Sequence, residues 1–330
     1  MNIQSLPKVE LHVHLDCSLS YEVVQKINSH ITYERFLKNF TAPSHCPDLS
    51  TYISKSESAI SLMQTAQHLR WVTLDLFDQF QKDGIAYAEI RFAPLEHTRN
   101  GLTEEQVVQI VDSAVGEGTA TYGIPVGVLL CTLRHYTHQQ SMRVARLTRE
   151  FQGSSVVGMD IAGHESEYGL QNHIPAFEFC RGHGIPCTAH AGESRGADSV
   201  AETIRKLRVD RIGHGVRSAE NLETVELIQS QNIHLEICPT SNILTRTVEA
   251  FSQHPLKYLY DSGISLGINT DGRTISRVSL SDEYRKVIRH FDWEMDELKT
   301  CNLAAIKHAF TKDAIKRDVI ATINIAYKSK

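Results

Sequence analysis

The run Val9-Glu10-Leu11-His12-Val13-His14-Leu15 is the first short, apolar, β-rich segment of the chain, and the residues after it decide the fold. No Gly-x-Gly-x-x-Gly turn comes next, so the opening of a dinucleotide-binding, doubly wound sheet is missing. Seven further runs of the same kind occur, at Ala86–Phe92, Pro125–Leu133, Val156–Ile161, Pro186–His190, Arg211–Val216, His234–Ile237 and Ile264–Ile268. They are almost continuously apolar, as strands buried on both faces are. Helical patterns lie between them. Glu104–Glu117 opens after Thr103, a fitting N-cap. Ala219–Ser230 places Leu222, Val225 and Ile228 at helical spacing, and Gly184 reads as a helix C-terminal glycine. Eight strand–helix alternations predict an α/β fold, a (β/α)8 TIM barrel. Residues 21–84 exceed one barrel unit, which predicts extra helices after strand 1 and a lid at Asp48–Met63. Asp292–Ala326 predicts helices at the C-terminus, packed outside. With no linker, repeat or low-complexity stretch, one domain is expected over residues 1–330, with a lid-like helical insertion at about 21–84.

Composition narrows the class. Hydrophobic residues make up 41% and charged residues 22% of the 330, a globular balance, and a net charge of -5 without long single-sign runs gives no support for nucleic-acid or membrane attraction. No apolar stretch is long enough to span a bilayer. Met1–Pro7 lacks a basic region followed by an apolar core, so no cleaved signal is expected. The seven cysteines are odd in number and scattered, and Cys131, Cys187 and Cys238 fall in apolar runs. They read as free thiols, and the expected location is cytoplasmic.

Four stretches carry chemistry. In His12-Val13-His14, side chains two apart on a strand share a face. Such a pair alone is often accidental. Thr188-Ala189-His190-Ala191-Gly192-Glu193 ends the fifth strand, and Arg211-Ile212-Gly213-His214-Gly215-Val216 puts a histidine between two glycines on the sixth. Gly267-Ile268-Asn269-Thr270-Asp271-Gly272 ends the eighth. Singly these would be a loop carboxylate, a core histidine and a turn aspartate. In a closed barrel the C-terminal ends of strands one, five, six and eight share one rim, where barrel enzymes hold their chemistry. Three histidines and one aspartate can there meet a single divalent ion, and nitrogen donors with one carboxylate suit zinc.

At these residues the sequence resembles the adenosine deaminase family. The matching stretches are Pro7–Asp16, Met159-Asp160-Ile161-Ala162-Gly163, His190-Ala191-Gly192-Glu193, Arg211-Ile212-Gly213-His214-Gly215, Glu236–Asn242 and Asn269-Thr270-Asp271, in the family's order. The His-x-Glu with Pro-Cys-x-x-Cys pattern of cytidine-type deaminases is absent. The resemblance implies one Zn2+ per chain held by His12, His14, His190 and Asp271. It implies Glu193 as the acid that protonates purine N1, with Asp271 also in the catalytic set. His214 would orient the attacking water and assist its deprotonation. Asp16 would contact the ribose 5'-hydroxyl, and the backbone of Gly163 would contact purine N3. Glu236 and Ser241 would support the metal ligands. The implied partner is a small purine nucleoside, adenosine or 2'-deoxyadenosine, going to inosine and ammonia. The alternative is another 6-aminopurine, adenine or a 5'-modified adenosine.

Three positions depart from the family. Gly272 stands where a second aspartate contacts purine N7, a loss that water or Arg273 would have to make good. Cys17 replaces a glycine, narrowing the ribose end or merely filling space. Tyr52–Glu57 is more polar than the family's lid, so the group beyond the purine would differ. Two rival classes are weaker. A two-metal, phosphotriesterase-like hydrolase would carry a lysine at the fourth strand's end, where Asp160–Gly163 has none. A silent barrel used for binding would have been free to lose some of His12, His14, His190, Glu193, His214 and Asp271.

Overall fold

The eight apolar runs form eight parallel strands, each buried along nearly all its length: β1 Lys8–His14, β2 Ile85–Phe92, β3 Val126–Leu133, β4 Val156–Ala162, β5 Thr188–Ala191, β6 Arg211–His214, β7 His234–Ile237 and β8 Leu266–Ile268. This computed structural model describes residues 2–43, 46 and 48–327; Met1, Ser44, His45, Pro47 and 328–330, which the expected span 1–330 includes, lie outside the described residues. The strands pair in sequence order from β1 to β4 and from β5 to β8. Bridges at Met159–Cys187 and Val13–Asp271 join the two halves into a closed barrel.

The β8–β1 joint matters most. The His14 N–H donates to the Asp271 carbonyl at 2.7 Å, and the Asp271 N–H donates to the His12 carbonyl at 3.0 Å. The Asn269 side-chain oxygen accepts the N–H groups of Leu11 (2.8 Å) and His12 (3.1 Å). Residues from the two ends of the sequence are thereby locked edge to edge.

Helix boundaries reflect local chemistry. The insertion after β1 holds α1 Tyr21–Ile27, α2 Tyr33–Phe40, α3 Leu49–Leu62 and α4 Ala66–Lys82, begun by the capping side chains of Ser20, Thr32, Asp48 and Thr65. Thr103 and Gln106 form a capping box, and that helix runs on to Tyr122. At Gly184 (φ 67°) the Ile185 N–H reaches the Cys180 carbonyl and the Gly184 N–H the Arg181 carbonyl, a Schellman ending for helix Ile174–Gly182.

Two expectations are corrected. β6 stops at His214, because Gly215 turns left-handed and Val216–Glu220 coils into a 3-10 turn. The next helix starts at Leu222 rather than Ala219, capped by Asn221, and Leu222 itself is 65% exposed while Val225 and Ile228 carry the buried face. Helices Met295–His308 and Asp313–Ala326 close the C-terminus as expected. All seven cysteines are free. No helix among the described residues is long and apolar enough to cross a membrane.

Candidate active site

His12 and His14 leave β1 on one face, and the β8–β1 joint sets Asp271 beside them. The Asp271 Oδ1 lies 3.5 Å from His12 Nε2 and 3.4 Å from His14 Nε2, and His14 Nε2 lies 3.2 Å from His190 Nε2. These are roughly the separations of donors bonded at about 2.0–2.1 Å to one ion. Donor atoms of His12, His190, His214 and Asp271 also fall within 4.8 Å of one another. Both His214 and Asp271 take left-handed backbone conformations (φ 61° and 64°), a strained geometry for residues with side chains.

The outer sides of these side chains show which atoms face inward. Glu236 Oε2 accepts from His12 Nδ1 at 2.9 Å, and the Asp160 carboxylate accepts from His190 Nδ1 at 3.1 Å. The Ser241 hydroxyl donates to Asp271 Oδ2 at 2.7 Å. With Nδ1 of His12 and His190 donating outward, their Nε2 lone pairs point inward, that of His12 toward Asp271 Oδ1 and that of His190 toward His14 Nε2. His12 Nε2 is buried and has no hydrogen-bond partner. Lone pairs facing lone pairs repel unless a cation sits between them, so the donor set fits a metal ion.

Glu236 and Ser241 thus lie against His12 and Asp271. Missed were Asp160 as a support and the cations behind it. Arg91, buried inside the barrel, donates to Asp160 (3.0 Å) and to Glu236 (2.8 Å); Arg211 donates to Glu236 (2.7 Å) and Glu89 (2.5 Å). Burial pushes the Glu236 carboxyl up, but Arg91, Arg211 and His12 outweigh it and hold it well below the usual glutamate range. The available signal was charge inside otherwise apolar strands, as in Ile90-Arg91-Phe92 and Met159-Asp160-Ile161.

His214 differs from the other three histidines. The Leu256 N–H donates to His254 Nδ1 at 3.1 Å, and burial lowers the His254 pKa to about 3. His254 is then neutral with its proton on Nε2, which donates to Asn242 Oδ1 at 3.3 Å. The Asn242 amide donates in turn to His214 Nδ1 at 3.2 Å. Burial, with His12 and His190 nearby, keeps His214 well below the usual histidine range, so it too is neutral. Its one proton is on Nε2, which faces the cavity as a donor and lies 3.7 Å from Glu193 Oε2. Burial pushes the Glu193 carboxyl well above its ordinary range, and the carboxylates of Asp271 and Glu165 push the same way.

A cavity of about 140 Å³ opens above this ring. Asp16, Gly163, His14, His190, Glu193, His214 and Asp271 wall it, and α3 roofs it. The roof corrects the expected polar lid: Leu49, Tyr52, Ile53, Ser56 and Ile60 face the cavity, while Glu57 pairs with Arg99 and Lys55 caps the Lys38 carbonyl. Arg273 cannot replace the missing aspartate, since it is buried in ion pairs with Glu10 (2.5 Å) and Asp83 (3.1 Å).

Cys17 and Gly272 are complementary. A Cβ at 272 would lie 2.9 Å from the Cys17 Cβ and 3.1 Å from the Tyr52 hydroxyl. Restoring the family's residue by Gly272→Asp is expected to destabilise the fold by about 1–3 kcal/mol through overpacking and to lower kcat/KM. Adding Cys17→Gly should recover part of both. Thermal melting of the single and double variants checks this, and an unperturbed Gly272→Asp single variant would contradict it.

A family model described as adenosine deaminase matches residues 7–326. The adenosine deaminase of Clostridium acetobutylicum is 36% identical, over 98% of this chain and 100% of its own length. Among solved structures, adenine deaminase from Arthrobacter aurescens superposes with a TM-score of 0.89 at 22% identity, covering 97% of this chain and 98% of that one. An amidohydrolase with bound zinc from Burkholderia ambifaria gives 0.88 at 21% identity, covering 98% and 91%.

Proposed function

The chain belongs to the adenosine deaminase family, and from that membership we propose that it hydrolyses adenosine, with 2'-deoxyadenosine also accepted, to inosine and ammonia, using one zinc ion per chain. The observation that carries this reading is the ring of inward-facing donors on His12, His14, His190 and Asp271, opposite a buried carboxyl on Glu193. Zinc held by that ring would supply activated water at neutral pH.

The chain's own groups do the rest. Asp16 anchors the ribose 5'-hydroxyl and the Gly163 backbone meets purine N3, which sets the ring edge against Glu193. Glu193 gives its proton to N1 and so draws electron density away from carbon 6. His214 donates its Nε2–H to the attacking oxygen and orients it. A neutral imidazole protonated there cannot also take a proton through that nitrogen, so the Asp271 carboxylate takes the proton of the attacking water and passes it to the amino group on carbon 6. That group leaves as ammonia when the carbon–nitrogen bond breaks, while the hydroxyl proton left on carbon 6 returns Glu193 to its acid form. Glu236, Asp160 and Ser241 keep the ligand atoms aimed. The apolar inner face of α3 covers the substrate and excludes water. The seven free thiols are in keeping with a cytoplasmic setting, and one domain is in keeping with the closed barrel and its insertion.

The test is ammonia release from adenosine before and after chelation. Chelation is expected to abolish turnover, zinc to restore it, and metal analysis to return one zinc per chain. Turnover of adenine alone, or of 5'-substituted nucleosides alone, would reject adenosine as substrate, and two metals per chain would reject the single-ion site.

A further inference from the structure

Glu165, 2% exposed, lies in the loop after β4 and is not among the residues that wall the cavity. Its carboxylate gathers a whole stretch of the neighbouring loop. Oε1 accepts the N–H of Gly192 (2.8 Å) and the hydroxyl of Ser199 (2.6 Å), and Oε2 accepts the N–H groups of Glu193 (3.0 Å), Ser194 (2.8 Å) and Arg195 (3.0 Å). Four successive amides converge on one anion, a concave nest of backbone dipoles of the kind that binds anions. These bonds are charge-assisted and so stronger than neutral ones. Gly192 takes a left-handed conformation (φ 70°), which lets the chain curl around the carboxylate.

We propose that Glu165 is a positioning residue for the deamination: by fixing the peptide planes on both sides of Glu193, it holds that carboxyl against His214 and the purine edge. The inference rests on the reading of Glu193 as the acid. The geometry supplies the reason. The side chain of Glu193 is carried by a loop, the last residue of β5 being Ala191. No strand register fixes its direction, and Glu165 fixes it instead. A rotation of any pinned peptide would swing the carboxyl away from both partners. Ser199, in the helix Ala197–Leu207, ties the same carboxylate to a rigid element.

The test is a double-mutant cycle on the zinc-loaded enzyme with Glu165→Gln, Glu193→Gln and the pair. Glutamine keeps the shape of Glu165 but removes its charge and replaces one acceptor oxygen by an NH2 group, so at least one N–H of the nest loses its acceptor and the others lose their charge assistance. Glu165→Gln is expected to lower kcat roughly tenfold to a hundredfold, as an ångström of misplacement does. KM should change less than about threefold, since binding contacts remain, and zinc content should be unchanged. In the Glu193→Gln background the same substitution should change kcat by less than about threefold, because the group it positions is gone. Unchanged kcat in Glu165→Gln, or losses that multiply in the pair as a general loosening would make them, would overturn the inference while leaving Glu193 as the acid. Full activity in Glu193→Gln alone would overturn the acid role and this inference with it. If Glu165→Gln does not fold, the same cycle with Ser199→Ala decides: a severalfold fall in kcat that vanishes in the Glu193→Gln background supports the proposal, and an equal fall in both backgrounds rejects it.

Discussion

Glu193→Gln is expected to lower kcat for adenosine by about 10²–10⁴-fold, the contribution a placed general acid makes, with KM and zinc content near wild type. Glutamine is nearly isosteric and still reaches His214, so binding survives; what it cannot do is release a proton to the ring. The direction of the shift sets the pH dependence. Burial, Asp271 and Glu165 raise the Glu193 carboxyl, so it keeps its proton well beyond the usual glutamate range. On the proposed mechanism the acid form is the active one, and the wild-type rate should therefore fall as pH rises through that elevated value. Glutamine does not titrate, and the variant's residual rate should lack this limb. A profile of kcat/KM against pH for both enzymes measures it. An identical alkaline limb in the variant would assign that limb to another group.

Glu236→Ala is the substitution expected to damage the fold most. Glu236 is fully buried and faces four partners: His12 at 2.9 Å, Arg91 at 2.8 Å, Arg211 at 2.7 Å and the Thr188 hydroxyl at 3.1 Å. Removing one member of such a buried group leaves charge uncompensated and is expected to destabilise by about 3–5 kcal/mol. An exposed pair such as Arg285–Asp282 is worth about 0–1 kcal/mol at most. His12 would also lose the acceptor that fixes its ring, so zinc affinity should fall by roughly 10–100-fold. Glu236 is held below its ordinary range, so its stabilisation is present above that range and is lost as pH falls through the depressed value. The gap between wild type and variant should be full at neutral pH and narrow only in acid. Denaturant unfolding at several pH values, with zinc titration, checks both parts. A variant as stable as wild type at neutral pH would mean that Asp160 and Glu89 suffice to hold the two arginines.

Much of this is legible in the sequence, for a physical reason. Strands buried on both faces must be almost wholly apolar, so β1 to β8 stand out as runs, and His12, His190, His214 and Asp271 stand out at their ends. Long-range pairing is not written locally. Arg91 looks like an interruption in an apolar run until the barrel closes and brings it to Asp160 and Glu236. His254 and Asn242 set the tautomer of His214 through contacts between separate elements. The lid misled because composition was read without direction: the polar residues of Tyr52–Glu57 mostly turn away from the cavity, and the helical period places Leu49, Tyr52, Ile53, Ser56 and Ile60 inward. The Cys17–Gly272 exchange could be noticed in the sequence as two departures, but only their contact makes them one.

The peptide of Asp271 is at once the rivet between the first and last staves of the barrel and the carrier of a carboxylate donor. A nascent chain that has emerged only past His214 already carries the site's four imidazoles, His12, His14, His190 and His214, yet can neither complete its cylinder nor bring Asp271 to them. With the proposed cation bound, occupancy and architecture would mature together, and the cation would stabilise the fully joined state by mass action. Starving the protein of that cation should loosen its N-terminal and C-terminal staves in concert, a coupled opening that amide exchange at Leu11, His12 and His14 would register.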